Sequence, residues 1–326
     1  MSDGGRKAIV LACDGKLFPA AAFQIPRLQS FSPPTDVDIV IATETAEDIR
    51  KATAFGLQFQ PLLFDVDLVS HIRMVGSFAR ASYYRIFLAR LLRQKYRRLL
   101  YIDVDTYVQD DRIFRLLEIP MNGHAIAGVR GRVPYMGGYS AELRETTRSA
   151  GNKYLNSGVL LIDVEAFINL QIEQRTLDVA SSRPMRFADQ SALNTVLDGN
   201  WLELSPSFNM QINLCYSFVA QVCEPIIVHF SGSTKPWEGP RFQYDHPARA
   251  EMERFFPKSP WPGFLAGFYN LADAMAGLRE SAKIAEQRPR FDPKMSHEFC
   301  EYLRSTRFAD VETGLTALRP QYLPSA

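Results

Sequence analysis

The chain has 326 residues, 46% apolar and 22% charged, which is ordinary globular usage; it excludes a disordered chain and sets a size of one large domain or two smaller ones. Its 37 Lys and Arg nearly cancel its 36 Asp and Glu, and the formal net charge of +1 makes no case for nucleic acid as a partner. The four cysteines, Cys13, Cys215, Cys223 and Cys300, include no CxxC pair and read as reduced thiols of a cytoplasmic protein.

Residues 7–12, KAIVLA, predict a short buried strand; its apolar patch ends at Asp14, too early for a signal peptide. A helix is expected over 18–30, a second strand over 37–42 (VDIVIA), helices over 45–55 and 77–96, and a third strand over 98–102 (RLLYI). A short helix follows over 111–117, then strands over 125–129 and 158–162 (GVLLI). Near-continuous apolar strands suit a sheet covered on both faces, and their alternation with helices implies an α/β fold with a mostly parallel sheet. Ligands of such sheets sit beyond the carboxyl ends of the strands. Residues 131–152, richer in Gly, Arg and Ser, read as an excursion over the sheet. From residue 261 the pattern changes, with helical periodicity over 264–285 and 297–305 and a loose tail over 319–326. The expected division is therefore a main domain of residues 1–260 and a helical C-terminal extension of residues 261–326. No run of about 18 apolar residues is present to span a bilayer, which leaves peripheral membrane contact open.

Asp103 and Asp105 stand two residues apart at the end of the apolar strand LLYI. If that strand runs on through Asp105, both carboxylates point to one face at the ligand-binding edge. Two close like charges are unfavourable unless a cation or a proton sits between them, and a hard divalent ion bound to phosphate oxygens would relieve the repulsion. The bland alternative is an exposed acidic strand end paired with local arginines.

A second constellation lies far along the chain. His229 follows the apolar run 226–228 and so falls at a strand end, and Gly232, Lys235, Pro236 and Trp237 follow it. An imidazole favours a transition metal such as Mn²⁺ over Mg²⁺. Gly232 allows close backbone approach to a ligand, and Lys235 offers a point charge for phosphate.

Together these motifs resemble glycosyltransferase family 8, the group of glycogenin and the bacterial lipopolysaccharide galactosyl- and glucosyltransferases. The resemblance runs from about residue 7 to residue 237 and rests on order and spacing: Ala12-Cys-Asp14, Ser82-Tyr-Tyr-Arg85, Asp103-Val-Asp105, Asn156-Ser-Gly158, Asp189-Gln190 with Leu193-Asn194, and His229-x-x-Gly-x-x-Lys-Pro-Trp237. It implies a GT-A architecture: a Rossmann-like, mixed, mostly parallel sheet flanked by helices, here with the helical C-terminal extension. It also implies a retaining transfer of galactose or glucose from a UDP-hexose to a glycan or lipid-linked saccharide. By the same resemblance Asp103, Asp105 and His229 hold Mn²⁺, with Mg²⁺ as the alternative. Ala12 and Asp14 contact the uridine, Arg85 and Asp103 the donor sugar or ribose, and Gly232 and Lys235 the diphosphate. Asn156, Asp189 and Gln190 surround the transferred sugar. Two departures bear on sugar and acceptor and leave the metal set alone: Gly15 and Lys16 follow Asp14, and Arg130-Gly-Arg132 stands where relatives often carry an acidic residue.

Other readings compete. Asp103-x-Asp105-Thr106 after an apolar strand also resembles the nucleophile motif of haloacid-dehalogenase phosphatases, although that motif opens its domain and here about a hundred residues precede it. A non-catalytic sugar-nucleotide or glycan-binding protein would keep Asp103 and Asp105 without needing Asp189 and Gln190. Self-glycosylation on tyrosines such as Tyr135 or Tyr139 is a third alternative. Eight Lys and Arg with no acidic residue lie between residues 70 and 98 and read as a solvated face or, with Arg130 and Arg132, as a surface for an anionic acceptor or membrane. Tyr135 and Trp237 read either as sugar-stacking faces or as packing.

Overall fold

Strands covered on both faces send alternate side chains into two different cores, and the first predicted strand does so. Ile9 and Leu11 pack under the helix Phe18–Gln29, while Ala8, Val10 and Ala12 pack against the helix Tyr84–Leu92 on the other side. The computed structural model of the chain describes residues 5–72, 74, 79–131, 153–211, 222–231, 235–238, 246–265, 293–315 and 318. Among the described residues the strands are β1 (Arg6–Ala12), β2 (Val37–Thr43), β3 (Gln60–Leu63), β4 (Tyr96–Ile102), β5 (Thr106–Val108), β6 (Ile126–Arg130), β7 (Leu155–Asp163), β8 (Leu202–Leu204), β9 (Met210–Gln211) and β10 (Ile227–His229).

Seven of them form one sheet in the order β3-β2-β1-β4-β7-β6-β8. β1 is parallel to β2 and β4, β2 to β3, and β6 to β8, whereas β7 runs antiparallel to both β4 and β6. This is the mixed, mostly parallel α/β sheet expected from the strand–helix alternation. A second sheet, β5-β10-β9, stands beside it, with β5 antiparallel and β9 parallel to the central β10.

The predicted strands recur with shifted ends: the third begins at Tyr96 rather than Arg98, and β7 starts three residues before Gly158. The helix expected over 77–96 is shorter. It opens as a 3₁₀ turn over Arg80–Tyr83, continues as the helix Tyr84–Leu92, and turns through residues 93–95 into β4. The cause is tertiary: Tyr96 is buried as the first residue of β4, and its hydroxyl donates to Asp38. The helix expected over 297–305 begins earlier, as Pro293–Ser305. Residues 132–152, most of 264–285 and the tail 319–326, for which an excursion, a helix and a loose end are expected, lie outside the described residues, as does Cys215. Among the described residues Cys13, Cys223 and Cys300 form no disulfide with one another.

The segment 293–315 is joined to the main sheet by polar as well as apolar contacts. Leu303 and Phe308 are buried with Met210, Val222 and Cys223. Tyr302 donates its hydroxyl proton to Glu203, which also holds Arg130. The fully buried Asp310 carboxylate accepts from the Ser205 backbone N–H and from its hydroxyl, both at 2.6 Å. Asp310→Ala deprives that buried N–H of its acceptor and is expected to lower stability by about 1–3 kcal/mol, as read from denaturant unfolding.

Candidate metal and nucleotide-sugar site

The carboxylates of Asp103 and Asp105 converge through a turn, not through a continued strand. β4 ends at Ile102, and the Thr106 backbone N–H (3.1 Å) and hydroxyl (2.7 Å) both donate to the Asp103 carbonyl, closing a tight turn between β4 and β5. Two features pull the chain off the sheet. Val104 is buried in the core layer that includes Phe18 and Ile25, and the buried Gln24 amide donates to the carbonyls of Val104 and Thr106. The expectation that a strand of period two runs through Asp105 is thus corrected. Both side chains still reach one place.

His229 ends β10, as its apolar approach implies. It pairs across the small sheet with Thr106, and the neighbouring Phe230 N–H donates to the Asp105 carbonyl at 2.9 Å. This pairing brings the ring over the turn: Nε2 lies 3.4 Å from Asp105 Oδ1 and 3.8 Å from Asp103 Oδ2. One ligand atom from each of the three residues falls within 4.8 Å of the others, so the set could hold a metal ion. One nitrogen and two carboxylate oxygens suit a divalent transition metal. Gly158 supplies the room. A Cβ there would stand 2.2 Å from His229 Cε1 and 2.9 Å from Asp103 Oδ2, so no other residue fits without moving a candidate ligand.

Two cations already serve these acids. Lys235 Nζ is paired with Asp105 and donates to the Phe230 carbonyl at 2.9 Å. Burial works to raise the Asp105 carboxyl, but the Lys235 charge, with His229 alongside, outweighs it and holds the group well below the usual carboxylate range. Arg85 is buried between Asp103 (2.9 Å) and Asp189 (3.2 Å) and is braced by the carbonyls of Ser82 (2.8 Å) and Ser157 (2.5 Å). Burial opposes its charge, but the two carboxylates outweigh that and raise its pKa. Burial pushes the Asp189 carboxyl above its ordinary value despite Arg85.

The remaining sequence-derived residues fall around this centre. Asp189 and Gln190 open the helix Ala188–Leu197, and Asn156 lies on β7. Gln190 Oε1 accepts from the Asn156 amide and from the Ser157 backbone N–H, each at 3.1 Å. Ala12 and Asp14 lie at the carboxyl end of β1. Val10 pairs there with Tyr101 of β4, so the two strands end at the same edge. Asp14 Oδ1 accepts from Leu17 N–H at 3.1 Å, and Glu44 from Gly15 N–H at 2.9 Å. Gly232 lies outside the described residues, as do Arg73, Arg132, Tyr135 and Tyr139. Trp237 is buried against Phe264, which is packing rather than an exposed sugar platform. Of the basic stretch, Arg90 pairs with Glu173, Lys95 with Asp38 and Arg98 with Asp163, while Arg130 is held by both oxygens of Glu203. Asn209, absent from the sequence-derived set, places its amide oxygen, an acceptor, 2.9 Å from His229 Nδ1. No periodicity or motif marks it.

A mixed sheet with an acidic turn and a histidine at one edge is the architecture of GT-A glycosyltransferases. A crystal structure of the galactosyltransferase LgtC, bound to donor and acceptor sugar analogues, shares the fold at 17% identity, with a TM-score of 0.58 over 83% of this chain and 99% of that one. The sequence narrows the class: residues 9–239 match the model of Glycosyl transferase family 8, and the chain belongs to that family. General stress protein A of Bacillus subtilis (strain 168) is 27% identical over 224 residues, covering 64% of this chain and 75% of that protein. The lipopolysaccharide 1,2-glucosyltransferase of Escherichia coli (strain K12) is 28% identical over 170 residues, 49% of each chain. The protein is therefore a glycosyltransferase, and the haloacid-dehalogenase alternative gives way. No helix among the described residues is long and apolar enough to cross a membrane.

Gly158→Ala forces a methyl group into His229 and Asp103. It is expected to lower stability by about 1–3 kcal/mol and to abolish stabilisation by added divalent cation, both read from unfolding curves with and without the ion.

Proposed function

We propose that the protein is a retaining hexosyltransferase that moves galactose or glucose from a UDP-sugar to a glycan or lipid-linked saccharide, with Mn²⁺ as its metal. The observation that carries this reading is the convergence of Asp103, Asp105 and His229 within 4.8 Å, with Lys235 at hand, in a chain of family 8. The glucosyltransferase of lipopolysaccharide among its relatives supports a saccharide acceptor. The same reading assigns residues 1–260 to the transferase domain and 261–326 to a C-terminal extension. It places the protein in the cytoplasm, with peripheral contact at the inner membrane face where the acceptor is lipid-linked.

A divalent ion held by the three side chains would supply positive charge to the diphosphate as it leaves. The chain's own groups divide the remaining work. Lys235 adds a point charge at the same diphosphate, together with the backbone at Gly232. Arg85, locked between Asp103 and Asp189, holds both acids in orientation, so it acts on the donor through Asp103. Ala12 and Asp14 receive the uridine at the end of β1. The transferred carbon becomes cation-like as its bond to the diphosphate loosens. Asp189, Gln190 and Asn156 surround the transferred sugar, with the Asp189 carboxylate offered to that carbon.

Asp103→Asn and Asp105→Asn are each expected to abolish Mn²⁺-dependent hydrolysis of the UDP-sugar while circular dichroism shows a retained fold; unchanged turnover in both variants removes the metal reading. Lys235→Ala is expected to lower kcat by about a hundredfold with a smaller effect on donor affinity, because its charge matters most as the leaving group departs. Steady-state kinetics beside donor titration separates the two, and a pure affinity loss contradicts the role.

A further inference from the structure

We infer that Asn209 is a positioning residue that fixes which nitrogen of His229 carries the proton, and so turns Nε2 into a lone-pair donor facing Asp103 and Asp105. The inference rests on the metal reading of the three residues and extends it to a side chain that touches none of the carboxylates.

The argument starts from two backbone N–H groups, which can only donate. Gly158 N–H lies 3.0 Å from Asn156 Oδ1, and Ser157 N–H lies 3.1 Å from Gln190 Oε1. Both amide side chains are thereby oriented with the oxygen toward the backbone. The Asn156 amide nitrogen then faces Gln190 Oε1 at 3.1 Å, as a donor should. The next contact, between Asn156 Oδ1 and Asn209 at 2.8 Å, must come from the Asn209 amide nitrogen, because an oxygen there would set two acceptors together. This leaves Asn209 Oδ1 directed at His229 Nδ1, 2.9 Å away. An amide oxygen only accepts, so Nδ1 carries the hydrogen. In the neutral ring the lone pair is then on Nε2, the atom 3.4 Å from Asp105 and 3.8 Å from Asp103.

The chain of polarity runs through buried surroundings. Asn209 is 1% exposed and His229 4%, so water does not readily scramble the assignment. The groups come from separate parts of the chain: β7, the helix Ala188–Leu197, the segment before β9, and β10. An amide also suits this position better than a carboxylate. It accepts the ring proton without adding a fourth negative charge near Asp103, Asp105 and Asp189, and it passes a hydrogen bond onward. A lone pair aimed at two carboxylates is unfavourable by itself, which is why the lock matters: without it the ring gains by turning an N–H toward the acids, and Nε2 then no longer ligates. Outer partners of ligating histidines commonly set the tautomer in this way.

The test begins with the unmodified protein. Long-range ¹H–¹⁵N spectra of the metal-free protein in buffer alkaline enough for neutral imidazole, with the His229 signal identified by its loss in His229→Gln, are expected to show the proton on Nδ1. Two variants follow. Asn209→Leu keeps the volume and removes the acceptor, and is expected to weaken Mn²⁺ binding by about 10- to 100-fold in a titration of free Mn²⁺ by electron paramagnetic resonance without donor sugar. Asn209→Asp keeps an acceptor for Nδ1 but sets a second oxygen against Asn156 Oδ1, and is expected to lose clearly less affinity than the Leu variant. A proton found on Nε2 in the unmodified protein overturns the inference, as does wild-type Mn²⁺ affinity in the Leu variant or an equal loss in both variants. If the unmodified protein binds no Mn²⁺, the metal reading falls instead, and the spectrum alone decides the role of Asn209. It does so even if the Leu variant fails to fold.

Discussion

Two carboxylates held within contact of one another repel unless positive charge lies among them, and the rest of this site is organised around that repulsion. Asp103, Asp105 and His229 are brought together by backbone pairing that does not depend on their side chains: a turn closed on the Asp103 carbonyl and a bond from Phe230 to the Asp105 carbonyl. The fold therefore imposes the proximity, and the charges around it have to answer. Arg85 answers for Asp103 and Asp189, Lys235 for Asp105. Low dielectric makes each of these pairs stronger than at the surface, and makes an unpaired member costlier to hold.

The small sheet β5-β10-β9 connects distant parts of the sequence. Asp105 immediately precedes β5 and His229 ends β10, so their antiparallel pairing converts a separation of more than a hundred residues into one contact. The seven-stranded sheet contributes the other half: β4 delivers Asp103 to its carboxyl edge, and β7, running antiparallel beside it, delivers Asn156 and Gly158 to the same edge. The Asp103 N–H bonds to the Gly158 carbonyl at 2.8 Å, so the ladder places the glycine against the acid. Close approach here is a property of the register, and only a residue without a Cβ tolerates it.

Much of this was legible in the sequence because apolar runs mark buried strands regardless of partner. The runs before Asp103 and before His229 identified both as strand-end residues, and the spacing of the motifs carried the family resemblance. The way the two aspartates converge was not legible. The turn at Val104 is set by burial under a helix and by Gln24, some eighty residues earlier, and neither leaves a local pattern. The helix expected over 77–96 is cut short for the same kind of reason, since its last residue, Tyr96, is claimed by β4 and the chain has to turn before it. Asn209 was invisible because an amide that orients a histidine needs only a position, and position is a tertiary property.

The charge count explains why the two basic residues are different in kind. Counted formally and leaving the imidazole out, the three acids Asp103, Asp105 and Asp189 face the two cations Arg85 and Lys235, a net of −1. Under the proposed reading a divalent ion would reverse this to +1 and so attract a diphosphate, whereas a site already neutral would gain less from the ion. Arg85 cannot take part in the exchange: it is buried and bound to two carboxylates and two carbonyls. Lys235 can, because among the described residues its ammonium group holds Asp105 and one carbonyl. Under the proposed reading an ion taking up Asp105 releases that ammonium group toward the phosphate, so one lysine neutralises the acid before the metal arrives and the leaving group afterwards. An arginine fork at that position would bind the carboxylate through two parallel bonds and give it up less readily, which is a physical reason for lysine here.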